Sequence, residues 1–191
     1  MASLQGEKIN LRPIERTDLD FLNRWKNKED VYMYLGGGFQ PVSKDQQATW
    51  MESMMDLTGN NRRFMIVQKE KTVGMVGLYN IHWVHRTCEI GIFIGEDQAR
   101  GKGAATEACR LIENYARNYL NLRKITLKAV TDNKKAVSMW HSLGYKNVGE
   151  LREERFINGK YCSLLIMEKF LENLGGGYKQ TFLDHYAEVV A

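Results

Sequence analysis

The chain is short of most features that would settle its role at a glance. Among 191 residues there are three cysteines, Cys88, Cys109 and Cys162, and only two prolines. An odd cysteine count with no Cys-x-x-Cys pair indicates neither a disulfide framework nor a zinc site, and no other metal site suggests itself. Buried thiols are expected instead. No repeat or low-complexity segment occurs. No apolar run approaches the roughly 18 residues that a membrane span needs. The opening "MASLQGEKINLRP" has no apolar core of a secretory leader, so a cytoplasmic protein is expected. A basic excess is missing too: 27 Lys and Arg stand against 23 Asp and Glu, a net charge of +4. The basic residues are scattered. That argues against a nucleic-acid module and mildly suits an anionic ligand.

What is present is an ordinary soluble composition, 43% hydrophobic and 26% charged, in a length that fits one domain with a tail. "EKINLRPI" alternates as a first strand. "RTDLDFLNRWKNKED" reads as a helix capped by Thr17, with Leu19, Leu22, Trp25 and Lys26 on one face. "LGGGFQP" is a loop. Ser43 starts a second helix, with Gln46 completing a capping box and Ala48, Met51 and Met55 on its apolar side. "RRFMIVQK", "TVGMVGLYNIHW" and "TCEIGIFIG" are strands.

A helix of about five turns follows, with Ala105, Ala108, Cys109, Ile112, Tyr115, Ala116 and Tyr119 as its core stripe. "RKITLKAV" is the next strand. Asn133 caps a helix that runs to Leu143 and stops at Gly144. Two last strands meet at Asn158-Gly159, a type I′ hairpin signal. Strand, turn, helix and strand from 87 to 131 require a right-handed crossover and hence a parallel pair. The expected fold is α/β: a mixed, mostly antiparallel sheet with a central parallel pair and helices on both faces. The domain spans 1–170. Residues 171–191 read as a C-terminal tail, the triple glycine a hinge and the remainder a short amphipathic helix or a mobile tail.

The feature richest in chemistry is "EDQARGKGAATEA" (Glu96–Ala108). Gly101 and Gly103 let the backbone approach a ligand closely. The helix behind them offers unpaired N–H donors and a partial positive charge, and Arg100 and Lys102 add formal charge. The spacing fits neither the Walker pattern nor the dinucleotide fingerprint, since Gly103 follows the lysine and Thr106 replaces a third glycine. A pyrophosphate still suits it.

The neighbours of this turn carry a resemblance. Arg100-x-x-Gly103-x-Ala105 matches the Q/R-x-x-G-x-G/A signature of the GNAT acetyltransferase superfamily, between a strand and a helix. Gln98-x-x-Gly101-x-Gly103 fits the same signature in a second register. Downstream, Asn133-x-x-Ala136-Val137-x-Met139-Trp140 and Leu143-Gly144-Tyr145 resemble the family's second half. Over about residues 5–170 the chain resembles the branch that holds ribosomal-protein N-terminal and spermidine acetyltransferases.

The resemblance implies acetyl-CoA as co-substrate and a primary amine as acceptor, the amine attacking the thioester directly in a ternary complex. It places the pyrophosphate on the backbone of Arg100, Gly101, Lys102, Gly103, Ala104, Ala105 and Thr106, and the pantetheine arm along Ile92, Phe93 and Ile94. Asn133, Ala136 and Trp140 complete the cofactor contacts, with Lys134 and Lys135 near a 3′-phosphate or simply solvated. Glu89 is the first choice for the base, and His82 and His85 compete for that role.

Trp140 stands where relatives carry a general-acid tyrosine. An indole N–H donates a hydrogen bond but supplies no proton, so Tyr145, Tyr161 or water is expected to substitute. Tyr32, Tyr34, Phe39, Trp50 and Trp83 make the acceptor side aromatic on paper. Gly77 and Asn80 replace acidic residues often found in spermidine acetyltransferases, which weakens a polyamine reading. The acceptor is then a small-molecule amine or a protein N-terminus, with no nucleic acid and no membrane involved. A homodimer through the last hairpin or the tail is open. The alternative is a catalytically silent acyl-CoA-binding regulator, with Trp140 marking lost chemistry.

Overall fold

A computed structural model describes residues 4–171. The tail beyond Leu171 lies outside the described residues. In chain order the elements are β1 (Leu4–Gln5), β2 (Asn10–Pro13), α1 (Leu19–Lys26), α2 (Glu29–Tyr32), α3 (Lys44–Met55), β3 (Arg62–Gln68), β4 (Lys71–His82), β5 (Thr87–Ile94), α4 (Ala104–Asn118), β6 (Lys124–Val130), α5 (Lys134–Ser142), β7 (Lys146–Ile157) and β8 (Lys160–Phe170). The strands form one sheet in the order β1-β2-β3-β4-β5-β6-β8-β7. Every neighbouring pair is antiparallel except β5–β6, which α4 connects as a crossover.

Strand alternation decides which helix covers which face. Met65, Met75 and Phe93 point to α1–α3 and pack with Leu22, Trp25, Val31, Tyr32, Met51 and Met54. Ile66, Val76, Ile90, Ile125 and Met167 point the other way, to α4 and α5. A third small cluster, Val130, Ile157, Cys162 and Leu164, receives Met33 and Tyr34 from the loop after α2. That loop therefore reaches across the sheet to the last hairpin. Arg155 fastens it by donating to the Tyr34 and Leu35 carbonyls at 3.2 and 2.8 Å.

Most local expectations hold. Ser43 and Gln46 form the reciprocal capping box. Asn158 and Gly159 take φ of 46° and 80°, as a type I′ turn requires. All three cysteines are buried and free. Four details differ. Thr17 caps nothing: a 3-10 turn over Arg16–Asp18 precedes α1, and its capping box joins Glu15 and Asp18. Asp18 is drawn inward because Arg12 grips it with two hydrogen bonds of 2.7 and 2.6 Å. In α3 the buried side is Gln47, Met51 and Met54 rather than Ala48 and Met55. Helix α4 is 15 residues long, and it buries Ala104 and Glu113 while Tyr119 stays 76% exposed just past its end.

Candidate active site

The parallel pair is short. Thr87–Lys124, Cys88–Ile125 and Glu89–Thr126 are partners, and there the ladder ends. Beyond it β5 runs on to Ile94 bonded only to β4, while β6 runs on to Val130 bonded only to β8. Two backbone edges thus face each other across a wedge, inside the sheet. An extended chain of amides fits such an edge as an added strand.

The glycine turn stands at the open end of this wedge. Gly101 and Gly103 adopt φ of 71° and 85°, and a Cβ on either would meet nothing within 4 Å. Glycine is needed here for backbone conformation rather than for space. Gly103 is the N-cap of α4 and brings no side-chain acceptor. The first N–H groups of α4 are therefore left for a ligand.

Arg100 does not offer its charge to that ligand. Its Nε donates to the Ile94 carbonyl at 3.1 Å, and Nη1 pairs with Asp30 at 2.6 Å and Asp97 at 3.2 Å. It ties the end of β5 to α2. Lys102 is exposed, as is Gln98 in the 3-10 turn Asp97–Ala99. Just before the turn, Gly95 lies against the Trp25 ring. The Trp25 Nε1 donates to Glu96 at 2.8 Å, and Arg24 pairs with the same carboxylate.

Glu89 lies at the apex of the wedge. It shares a face with Gly91 and Phe93, the side covered by α1–α3. It is half-buried, and Asn80 donates to its Oε1 at 3.1 Å. Its neighbour Cys88 points into the opposite core, where burial first and Glu89 second push the thiol up to about 12. His82 and His85 stack at 4.1 Å in the turn between β4 and β5. His82 pairs with Thr87, on the closed side of Glu89, so neither imidazole faces the wedge.

Asn133 caps α5, its Oδ1 accepting from the Ala136 N–H at 3.2 Å. Lys134 and Lys135 are exposed. Trp140 is 5% exposed in the α4–α5 core and stands edge-on to Tyr145, with centroids 5.1 Å apart. Tyr145 is sealed: it is 2% exposed and its hydroxyl has no hydrogen-bond partner. Burial, reinforced by Glu113, raises its pKa far above the ordinary phenol value. Tyr161 is exposed on the last hairpin beside Phe156, 5.2 Å ring to ring.

Of the aromatic residues expected on the acceptor side, Tyr32 is core, packed on Phe93 at 5.4 Å. Phe39, Trp50 and Trp83 keep 37%, 38% and 46% of their surface. Trp83 is held by Asn60 near the β4–β5 turn rather than at the wedge. A residue that sequence reasoning passed over is Tyr79, the Cα partner of Glu89. Its ring lies along the sheet over the paired glycines Gly77 and Gly91. A Cβ on Gly77 would sit 2.7 Å from the Tyr79 hydroxyl, and one on Gly91 3.1 Å from the ring. The readable signal is two glycines that oppose each other in adjacent strands.

Residues 8–146 match the family model described as an acetyltransferase (GNAT) domain. The chain belongs to the GNAT acetyltransferases. This GNAT enzyme is 33% identical over 162 residues to the spermidine N(1)-acetyltransferase of Escherichia coli K12, covering 85% of this chain and 86% of that one. It is 25% identical over 121 residues to the ribosomal-protein-serine acetyltransferase of the same organism, covering 63% and 66%. The solved spermidine N-acetyltransferase of Vibrio cholerae, in complex with CoA and spermine, superposes with a TM-score of 0.80 at 30% identity. That match covers 87% of this chain and 97% of that one. The GNAT enzyme thus uses acetyl-CoA as its co-substrate and transfers acetyl to an amine. The open β5 edge and the two left-handed glycines fit that co-substrate by geometry of their own.

Proposed function

We propose that the GNAT enzyme acetylates a primary amine by direct attack within a ternary complex, with the wedge between β5 and β6 as the acetyl-CoA cleft. The observation that carries this reading is the parallel ladder ending at Glu89–Thr126, above which β5 has a free edge. The amides of Ile92, Phe93 and Ile94 supply that edge. The N–H groups of Gly101–Thr106, at the start of α4, face the pyrophosphate. Asn133 and Ala136 close the other wall of the cleft, and Trp140 packs beside the thioester.

Acetyl-CoA, when bound, supplies an activated acetyl group on a thiol leaving group. The chain supplies the rest. An alkyl ammonium near a pKa of about 10.4 must lose its proton before it can attack. Glu89 takes it, directly or through one water, while Asn80 fixes the carboxylate. A β5 N–H near Phe93–Ile94 donates to the carbonyl oxygen as charge builds there. The new C–N bond forms as the C–S bond breaks. The thiol has a pKa near roughly 8.5, so it leaves as thiolate with little help. That tolerance is why Trp140 suffices where an acid would otherwise stand, its N–H orienting sulfur. With Tyr145 sealed, Tyr161 or water is the remaining proton source.

No helix among the described residues is long and apolar enough to cross a membrane, and we read the enzyme as cytoplasmic. A homodimer would use the exposed Phe156–Tyr161 pair of the last hairpin, and sedimentation of the full chain measures it. Thiol release across a panel of primary amines tests the activity. Saturable CoA binding with no turnover on any amine would overturn it.

A further inference from the structure

The face of the sheet that carries Glu89 also carries positive charge without a matching carboxylate. Arg63, Gly77 and Gly91 are partners in one row across β3, β4 and β5. Arg63 is the only one of the three with a side chain. Its guanidinium lies 5.1 Å from the centroid of Tyr79, and Tyr79 is the direct partner of Glu89. Lys26 approaches from α1. It is 9% exposed, and its ammonium lies over the rings of Tyr32 at 4.3 Å and Trp50 at 5.3 Å. Among the described residues neither cation has a carboxylate within ion-pair distance.

The acidic groups of this flank are spoken for. Asp18 pairs with Arg12, Asp20 with Lys44, Asp30 with Arg100 and Glu52 with Arg16. Glu29 and Asp45 sit exposed in the first turns of α2 and α3.

A lysine buried to this degree normally has a carboxylate or several acceptors, because desolvation disfavours its charge. Lys26 has two aromatic faces instead, and burial lowers its pKa. The side-chain atoms sealed without a partner are Gln47 Oε1, Glu113 Oε1 and the Tyr145 hydroxyl. The Lys26 ammonium is not among them, so it keeps a path to solvent. Between Lys26 and Arg63 lie the Tyr32 and Tyr79 side chains. Tyr32 packs on Phe93, which shares a face of β5 with Gly91, over which Tyr79 lies, and burial raises the pKa of both phenols. Each phenol can donate a hydrogen bond to an anion. Of the two acidic side chains in the row Tyr79–Glu89–Thr126–Glu168, Glu168 pairs with Lys124, and Glu89 is left facing them.

The geometry points to an acceptor that is a small amine carrying its own anion, a carboxylate or a phosphate, with the amine at Glu89 and the anion at Arg63 and Lys26. This rests on the cleft assignment above. A polyamine brings several ammonium groups to a place where two cations, Arg63 and Lys26, have no carboxylate partner, and is disfavoured there. Tyr79 forms the floor between the two ends, and the Gly77–Gly91 pair leaves room for its ring.

Matched acceptor pairs test this on the full chain. Glucosamine 6-phosphate is compared with glucosamine, and glycine with glycinamide, with spermidine as the polycation. The two pairs separate a phosphate from a carboxylate. Thiol release should favour the anionic member of at least one pair by about tenfold or more, the scale of one charge-assisted hydrogen bond. Arg63→Gln should bring that ratio close to one while CoA still raises the melting temperature. Equal rates within both pairs, faster turnover of spermidine, or a ratio unaffected by Arg63→Gln combined with Lys26→Met would each overturn it.

If no amine is turned over, the melting temperature of the CoA-saturated protein decides. Stabilisation by the anionic members that Arg63→Gln removes supports the anion site, even though the catalytic reading has failed. Absence of that stabilisation overturns the site.

Discussion

Glu89 and Thr126 are the last partners of the parallel pair, so the carboxylate expected to take the proton sits where the two strands part. Glu89→Gln keeps the shape and the Asn80 contact but removes the base. Turnover at neutral pH should fall by about 10²–10⁴-fold. A Gln variant with the parent's rate would take Glu89 out of the reaction.

Tyr145 gives the opposite expectation. Its hydroxyl is buried without a partner, a state that costs about 1–3 kcal/mol. Tyr145→Phe should leave turnover unchanged and leave the melting temperature equal or higher. A drop in turnover with an unchanged melting temperature would show that the phenol reaches the reacting groups after all.

Trp140 separates packing from hydrogen bonding. Trp140→Phe keeps an aromatic edge against Tyr145 but loses the N–H, and it should slow turnover several-fold or more with little change in acetyl-CoA KM. Trp140→Tyr restores a donor that can also release a proton, and should recover at least part of the rate. If the Phe variant matches the parent, the indole N–H has no part in sulfur orientation.

Gly103 holds φ of 85° at the N-cap of α4. A β-branched residue pays about 1–2 kcal/mol for a left-handed backbone. Gly103→Val should therefore lower the melting temperature by several degrees. The KM for acetyl-CoA should rise more than the acceptor KM, because the strained turn no longer presents its N–H groups. Equal changes in both would mean that the turn does not contact the co-substrate.

Glu96 links α1 to the same turn. Burial alone would raise its pKa, but the Trp25 and Arg24 hydrogen bonds outweigh it, and the folded-state value falls below 4.5. A depressed acid pKa contributes stability above the unfolded value and loses it as pH falls through the folded one. The stability gap between the parent and Glu96→Gln should be full near pH 7 and should close below about pH 4.5. Melting curves across that range measure it, and a gap independent of pH would remove the ionised carboxylate from the account.

The sequence made the sheet order around the crossover, the Ser43 capping box and the Asn158–Gly159 hairpin legible, because each depends on residues close together in the chain. The glycine turn was legible for the same reason. What escaped depends on register between strands or on partners far away. The role of Arg100 as a tie between Ile94 and Asp30 needs α2 to be in place. Thr17 lost the cap because Arg12, on a neighbouring strand, recruits Asp18. Tyr79 and Arg63 became visible only when β3, β4 and β5 aligned Arg63, Gly77 and Gly91 in one row. Tyr145 directly follows the readable helix stop at Gly144, yet its burial follows from the depth of α4 and Glu113 beneath it.

The wedge also bears on how this protein survives when it is idle. A sheet interrupted between β5 and β6 carries two unsatisfied strand edges at its centre, the kind of surface that recruits strands from other molecules. On the proposed binding mode the missing rungs come from a metabolite. The supply of acetyl-CoA would then govern colloidal behaviour as well as rate: a cell or storage buffer depleted of it leaves the chain more open to self-association and proteolysis. Adding CoA during purification should lengthen the useful life of the protein.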